Sequence, residues 1–313
     1  MASTSASSSD ALVARPDDGV ASAALSGELR VDPLSRRRVA IAPARAKRPG
    51  ADVPRIEPLQ PGELDQCPFC EGREDRTPPE VLALPAEGRS PDTPGWTVRV
   101  VPNLFPAFER QEVVIHTPRH ARSFAELTDV EIDAVAVAWA ARAEAAAADG
   151  FGYVHPLINE GRAAGASLVH SHSQLVWLRE LPPAVRDERA GGLLELLQAA
   201  REEGLIVGGT QDLVAFCHPA GRLPYETMIA SESAREPWPD RRTLALALRL
   251  LRDVVTALRA IEGSVPWNAW LHHGRDWHLE LVPRLAVLAG VELGAGLYVN
   301  SLAPERAAEA LRG

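Results

Sequence analysis

The chain has 313 residues, 46% of them hydrophobic and 24% charged, which is typical of a globular protein. Its formal net charge is −9 and its basic residues form no long run, so nucleic acid and anionic membrane surfaces are improbable partners. No apolar run approaches the roughly 20 residues needed to span a bilayer. A phosphate-bearing ligand would therefore have to be held by a few local cations.

The N-terminal segment is rich in Ser and Ala and lacks the basic and compact apolar regions of a signal peptide. We predict a disordered tail over residues 1–27. Only three cysteines are present, and Cys67 and Cys70 are spaced C-x-x-C. An odd number is a poor disulfide framework and favours a reducing, cytoplasmic location.

In the first half, apolar-polar alternation and a Pro-based turn predict a strand within 28–43, and "QCPFCEGREDRTPPE", which lies among proline-rich connections, is predicted to be a loop. Two β-rich runs, "WTVRVVPNLFPAF" and "QEVVIHTP", should neighbour each other in an antiparallel sheet. An Ala-rich stretch without Gly or Pro predicts a helix from Asp129 to Ala148. Two further strands are predicted at 151–160 and 167–178.

The second half repeats this order of helix and strand. Helices are predicted at 190–203, 240–262 and 304–312, and short strands at 213–219, 267–273 and 277–284. The helix at 240–262 has an Asp near its start and Gly263 just past its end. The repeated order of predicted elements indicates two α+β halves, although the amino-acid sequences of the two halves show no clear repeat.

His170 and His172 lie in "GASLVHSHSQLVW" and dominate the chemistry of the first half. On a strand they would share one face, about 7 Å apart, with Ser171 on the other face. They could be core histidines satisfied by neighbouring carbonyls. The preceding Gly-Ala-Ser turn and the following Gln174 favour instead one imidazole on a metal and the other at a reacting centre.

The C-x-x-C pair has two interpretations. Two thiolates and two imidazoles would complete a tetrahedral zinc site, and His120 and His170 are the leading candidates among nine histidines. A thioredoxin-like redox pair would need the motif to open a helix. The following Thr77-Pro78-Pro79 does not resemble a helix start, so the spacing favours zinc.

Five segments, in their order and spacing, resemble the galactose-1-phosphate uridylyltransferase family of the histidine-triad superfamily. They are "ELRVDPLSRRRVAIAPARAKRP", "CPFCEGRED…TPPE", "VRVVPNLFPAF", "INEGRAAGASLVHSHSQL" and "WHLELVPR". The likeness extends from Glu28 to the C-terminus. The serines of H-S-H-S-Q, the segment "NLFPAF" and the tail "GVELGAGLYVNSLAPERAAEALR" resemble the ADP-glucose phosphorylase-like branch.

The resemblance implies an α+β fold of two histidine-triad-like halves around a mostly antiparallel sheet with flanking helices. Residues 28–180 would carry the zinc site and the nucleophile, and residues 181–313 would form the C-terminal half. It also implies a homodimer in which C-terminal residues reach the partner's site. Residues 298–301 are the candidates for that reach.

By the family pattern His172 is the nucleophile and Gln174 donates to a non-bridging phosphate oxygen. A neutral imidazole suits the first role because it attacks phosphorus without first losing a proton. The substrate contacts implied by the resemblance are Arg45, Arg48, Asn103, Asn159, Ser167 and Asn300. Taken alone, Ser167 could be a turn-capping hydroxyl, and the two arginines a solvated basic turn.

The resemblance also implies metal ligands. A structural Zn²⁺ would be held by Cys67, Cys70, His120 and His170. A second metal, found in some members, would fall on Glu188, His272 and His278, but Glu280 stands where the family has another histidine.

Two other departures concern the substrate. Leu104 stands where uridylyltransferases generally carry an Asp beside the nucleoside, which weakens the case for uridine. Glu160 stands where a Lys is expected, which removes a cation near an anionic substrate.

The first functional hypothesis is exchange of a nucleoside monophosphate between a nucleotide-sugar and a hexose-1-phosphate, as in UDP-glucose:galactose-1-phosphate uridylyltransferase. The alternative is an ADP-glucose phosphorylase, with phosphate as acceptor. Two further readings are a dinucleoside polyphosphate hydrolase and a non-catalytic, zinc-stabilised nucleotide-binding protein.

Overall fold

A computed structural model describes residues 27–47, 53–231 and 237–313. The predicted tail falls, except for Gly27, outside these residues. Among the described residues, no helix combines the length and the apolar composition needed to cross a membrane.

The α-helices within the described residues differ widely in length, and two long ones dominate. They are α1 (Glu63–Gln66), α2 (Asp129–Ala148), α3 (Pro183–Arg186), α4 (Gly192–Glu202), α5 (Arg241–Glu262), α6 (Gly290–Ala295) and α7 (Pro304–Arg312). Their ends follow the sequence. A capping box between Thr128 and Glu131 begins α2, whereas the Asp240 carboxylate caps α5 and Gly263, with φ 74°, ends it.

The strands form two sheets. They are β1 (Glu28–Val31), β2 (Arg38–Ile41), β3 (Leu82–Leu84), β4 (Val98–Pro102), β5 (Arg110–Ile115), β6 (Tyr153–Glu160), β7 (His172–Leu178), β8 (Ile206–Gly209), β9 (Leu213–Cys217), β10 (Thr227–Ser231), β11 (Trp267–His272), β12 (His278–Pro283) and β13 (Leu297–Asn300). Ten of them form one sheet in the order β3-β4-β5-β7-β6-β11-β12-β10-β9-β8, in which each strand pairs antiparallel with its neighbours. The small sheet β1-β2-β13 joins the two ends of the chain.

The large sheet has one five-strand group from each half of the chain, and the groups meet where β6 pairs with β11. Helix α2 packs on β3, β4 and β6, while α5 packs on β8, β9 and β10 and against α2. This is the mostly antiparallel α+β architecture, with flanking helices and two histidine-triad-like halves, that the sequence predicts.

The predicted helices at 129–148, 190–203, 240–262 and 304–312 match α2, α4, α5 and α7 closely. The single strand predicted within 28–43 is wrong in one respect, because a turn divides it into the antiparallel pair β1 and β2. The predicted strand at 167–178 begins only at His172, so His170 belongs to the preceding loop. Sequence analysis missed the short strands β3, β8, β10 and β13.

The two faces of the large sheet have different roles. Ser173, Leu175 and Trp177 of β7 face the helices, where the indole of Trp139 donates to the Ser173 hydroxyl at 2.9 Å. Since side chains alternate along a strand, His172 and Gln174 face the other way. The open face of the sheet therefore carries the residues with candidate chemistry.

The C-x-x-C segment covers one end of this open face. Cys67 and Phe69 pack in a small buried cluster with Val101 of β4 and with Val113 and Ile115 of β5. The Phe69 ring contacts both His170 and His172 edge-on, with centroids 6.0 Å and 5.4 Å apart. This packing places the cysteine pair directly beside the H-S-H segment.

Candidate functional site

His172 is held in a defined orientation at the start of β7. Its Nδ1 lies 2.7 Å from the backbone oxygen of His170. A carbonyl can only accept, so Nδ1 carries the proton and Nε2 carries the lone pair. Burial lowers the pKa of His172 below its usual range, although the His170 carbonyl opposes that shift. A neutral imidazole with a free Nε2 is the form that a nucleophile requires.

Cys67, Cys70, His120 and His170 form a compact group whose ligand atoms all lie within 4.8 Å of one another. The Nδ1 atom of His170 is 3.4 Å from the Cys67 sulfur, and the Nδ1 atom of His120 is 3.3 Å from the Cys70 sulfur. Two sulfurs and two imidazole nitrogens are the donor set of a structural zinc site.

The outer nitrogens of both imidazoles already have partners. Nε2 of His170 donates to the Thr117 carbonyl at 2.9 Å, and Nε2 of His120 lies 3.0 Å from a Glu63 oxygen. These contacts leave each Nδ1 lone pair facing the sulfurs, which is the arrangement that supports metal-binding histidines. The donor set fits zinc in number, type and orientation.

Two amide side chains accompany His172 on the open face. Gln174 follows it on β7, and its Oε1 accepts from Nε2 of Gln111 at 2.5 Å. Asn159 of β6 lines the same small cavity as His170 and His172, and its Oδ1 accepts from Nδ2 of Asn268 at 2.7 Å. The structure thus brings Gln174 and Asn159 to the same side of the sheet as His172.

Two predicted contacts lie on loops around this face. Ser167 is exposed in the segment between a 3-10 turn at Arg162–Ala164 and β7. The Asn103 Oδ1 accepts from the backbone N–H of Phe105 at 2.9 Å and so shapes the turn after β4. The turn exposes 65% of Leu104 and 85% of Phe105, which together form an apolar patch on the surface of the loop.

The remaining predicted contacts do not reach His172 within the described part of one chain. Arg45 lines a separate cleft with Tyr225, Val299 and Ser301. Asn300 is buried within the chain, and its amide donates to the carbonyls of Gly221 and Leu223. Arg48 lies outside the described residues.

The second metal-ligand set also comes together. One ligand atom each from Glu188, His272 and His278 lies within 4.8 Å of the others. Both ring nitrogens of the fully buried His278 lack a hydrogen-bond partner among the described residues. The Glu280 carboxylate lies 3.4 Å from His278 and is engaged by Arg222 at 2.6 Å. A buried imidazole whose Nε2 faces the carboxylates of Glu188 and Glu280, at 3.7 Å and 3.4 Å, fits a metal ligand.

Glu160, the departure from the expected lysine, faces the helix side. Its carboxylate accepts from the Ser123 hydroxyl and from the Phe124 backbone N–H, both at 2.8 Å. Burial raises the pKa of Glu160 to about 7. The side chain therefore braces the loop that leads from His120 and does not place a negative charge towards the phosphates.

Several supporting residues were missed by sequence analysis. They are Glu63, Gln111, Thr117 and Asn268. Glu63 precedes the C-x-x-C pair by four residues, a weak signal that an acid could serve the metal site. The other three are set by cross-strand and loop contacts that no sequence spacing reveals.

Comparison with known proteins agrees with this geometry. Residues 106–182 match the family described as galactose-1-phosphate uridyl transferase, N-terminal domain. ADP-glucose phosphorylase from Arabidopsis thaliana is 28% identical over 333 residues, which cover 92% of this chain and 93% of that protein. Galactose-1-phosphate uridylyltransferase from Thermotoga maritima is 25% identical over 325 residues, 91% of this chain and 98% of that protein.

Among solved structures, Arabidopsis thaliana ADP-glucose phosphorylase with bound ADP-glucose has a TM-score of 0.77 and 27% identity. The match covers 91% of this chain and 98% of that one. Together with the site, these similarities define an enzyme of the nucleotidyltransferase class with a histidine-triad-like fold. The chain is similar over most of its length to ADP-glucose phosphorylase and to galactose-1-phosphate uridylyltransferases, and residues 106–182 match the N-terminal domain of the latter family.

Proposed function

We propose that the chain is an ADP-glucose phosphorylase, which moves AMP from ADP-glucose to inorganic phosphate through an adenylyl-His172 intermediate. The observation that carries nucleotidyl transfer is the contact between Nδ1 of His172 and the His170 carbonyl, because it leaves Nε2 free to attack phosphorus. The similarity to ADP-glucose phosphorylase favours the alternative drawn from the sequence over the first hypothesis.

Adenine is favoured over uridine by two observations. The phosphorylase relative is 28% identical to this chain and the uridylyltransferase relatives 25%. Leu104 also replaces the Asp expected beside a uridine, and the exposed Leu104 and Phe105 offer an apolar surface to a base.

The proposed reaction has two half-reactions. Nε2 of His172 attacks the α-phosphorus of ADP-glucose, and the bond from that phosphorus to the bridging oxygen breaks, so that glucose-1-phosphate leaves. An oxygen of inorganic phosphate then attacks the same phosphorus, the P–N bond breaks and ADP leaves. The Nδ1 proton stays on the ring throughout, and the His170 carbonyl stabilises the positive charge that develops there.

We assign a structural Zn²⁺ to Cys67, Cys70, His120 and His170. The ion would tie the C-x-x-C segment to the loop before β7 and thereby hold the His170 carbonyl that orients His172. Burial and the adjacent Cys67 thiol raise the pKa of Cys70 to about 12. A coordinated thiol is deprotonated outright, so binding would release protons.

We also propose a homodimer in which Arg45 and residues 298–301 serve the partner's site. In support, Arg45 shares its cleft with Val299 and Ser301 of the C-terminal segment. Parallel pairing of β2 with β13 holds the two ends of the chain together. A second metal at Glu188, His272 and His278 completes the proposal.

A substrate comparison tests the proposed function. ADP-glucose and UDP-glucose are each incubated with inorganic phosphate, with galactose-1-phosphate, or with neither, and release of glucose-1-phosphate is followed. We expect ADP-glucose with phosphate to exceed UDP-glucose with galactose-1-phosphate by at least about tenfold in kcat/KM. The reverse preference would restore the uridylyltransferase, and equal turnover without an acceptor would indicate a hydrolase.

A further inference from the structure

The orientation of a side-chain amide decides whether it can assist a phosphate. An amide has an oxygen that accepts and an NH₂ group that donates, and phosphate oxygens at neutral pH mainly accept. Gln174 and Asn159 both lie on the nucleophile's side of the sheet. Each helps phosphoryl transfer only if its NH₂ group, and not its oxygen, faces the phosphate.

A contact with the backbone settles the orientation of Gln174. The N–H of Ala107 donates to the Gln111 side chain at 3.0 Å, and because a backbone N–H only donates, that atom is Oε1. The other end of Gln111 is therefore the NH₂ group. It donates to Gln174 at 2.5 Å, so the Gln174 atom that it meets is the oxygen. The Gln174 NH₂ group is left for the substrate.

A second pair of amides does the same for Asn159. Asn268, its neighbour across the β6–β11 pairing, donates to the carbonyl of Ala164 at 2.7 Å. Because a carbonyl only accepts, the Asn268 atom is Nδ2. The same Nδ2 lies 2.7 Å from Asn159, whose contacting atom must therefore be Oδ1. Among the described residues, the NH₂ group of Asn159 has no hydrogen-bond partner and is available to a substrate.

We infer that Gln111 and Asn268 are positioning residues that fix Gln174 and Asn159 as hydrogen-bond donors to the transferred phosphoryl group. The inference rests on the proposed function. In each pair, an amide that is hydrogen-bonded to a backbone group determines which end of the second amide faces the phosphate. Gln174 and Asn159 therefore need not rotate when charge builds up on the phosphate oxygens.

Gln111→Glu is the sharpest test because it is nearly isosteric. The carboxylate can still accept from Ala107, but it cannot donate to Gln174. Gln174 then turns its NH₂ group towards residue 111 and its oxygen towards the phosphate. We expect the rate of His172 nucleotidylation in a single turnover to fall about 10²-fold, with KM changed little and melting temperature unchanged. Gln198→Glu, an exposed change on α4, should behave as wild type.

A negative charge near the phosphate could also slow the reaction by repulsion, and the Gln174→Ala background separates the two causes. In that background, Gln111→Glu should lower the rate of His172 nucleotidylation by no more than about threefold, because no amide at position 174 remains to be turned. Asn268→Asp, made in wild type and in the Asn159→Ala background, gives an independent second test. It should lower the rate of His172 nucleotidylation strongly in wild type and little in the Asn159→Ala background.

The rates are measured with whichever nucleotide-sugar the wild type uses. An equal loss from Gln111→Glu in both backgrounds, or a wild-type rate in the single variant, would overturn the inference alone. A wild type that transfers from no nucleotide-sugar would overturn the proposed function and this inference together.

Discussion

Nδ1 of His172 donates to the backbone oxygen of His170, and Nδ1 of His170 itself faces the Cys67 sulfur 3.4 Å away. One residue thus joins the metal-ligand group by its ring and orients the nucleophile by its backbone. The two histidines of the H-S-H segment therefore have different roles, and their substitutions should have different consequences.

His172→Gly should lower turnover by about 10⁴-fold or more and leave zinc content and melting temperature nearly unchanged, because it removes a nucleophile and no ligand. His170→Ala should lower zinc content, stability and turnover together. Metal analysis, thermal melting and the phosphorylase assay on both variants check this. Equal zinc loss in the two variants would mean that the two imidazoles are assigned the wrong way round.

Metal content tests the Cys/His group. The double variant Cys67→Ser, Cys70→Ser should lose about one zinc per chain and melt at a lower temperature, because a structural zinc contributes directly to folding. Cys217→Ser is the matched control. Cys217 is buried on β9 and burial raises the pKa of its thiol to about 12, so it should leave zinc unchanged. Wild-type zinc content in the double variant would contradict the assignment.

Glu63 should tune that site without being a ligand. Its carboxylate accepts from Nε2 of His120 at 3.0 Å and from Nε of Arg122 at 2.8 Å. Glu63→Gln should weaken zinc binding about tenfold, measured by competition with a chelator. Asp65→Asn removes a charge from a 90% exposed side chain two residues away and should have no effect. Identical affinities in the two variants would show that Glu63 does not support the site.

The raised pKa of Glu160 predicts that the free energy of unfolding depends on pH. Its pKa is about 7 when folded, against 4.5 for an ordinary glutamate, so the folded protein holds the proton more tightly. The ionised side chain therefore costs stability above pH 7, and the cost fades as the pH falls towards 4.5. Glu160→Gln should be more stable than wild type at pH 8, by on the order of 1 to 3 kcal/mol, and the difference should shrink to below about 1 kcal/mol near pH 5. A difference that is the same at both pH values would contradict the shifted pKa.

Much of the fold was predictable because its signals are local. Helices α2 and α5 have uninterrupted helical sequences and identifiable caps, and their observed bounds lie within a residue of the predicted ones. The short strands β8 and β13 escaped notice because pairing with a distant partner, and not local alternation, makes them strands.

The site was predictable only in part. The Cys/His group and the pair formed by His172 and Gln174 carry distinctive residue types, so the C-x-x-C and H-S-H motifs and the family resemblance locate them in the sequence. Gln111 and Asn268 do not, because an amide acquires its role from the backbone group that it meets across a sheet or loop. Arg45 lines a cleft away from His172, so its role at a partner's site stays a prediction.

The most direct test of covalent catalysis at His172 is the mass of the protein after incubation with ADP-glucose and no acceptor. The account predicts a gain of one AMP per chain, in an acid-labile bond that maps to the peptide containing residues 163–179. Added phosphate should discharge the adduct as ADP, and His172→Gly should not form it. Turnover with no adduct in wild type, or a His172→Gly variant active at the wild-type rate, would contradict the account and require direct transfer between the two phosphates.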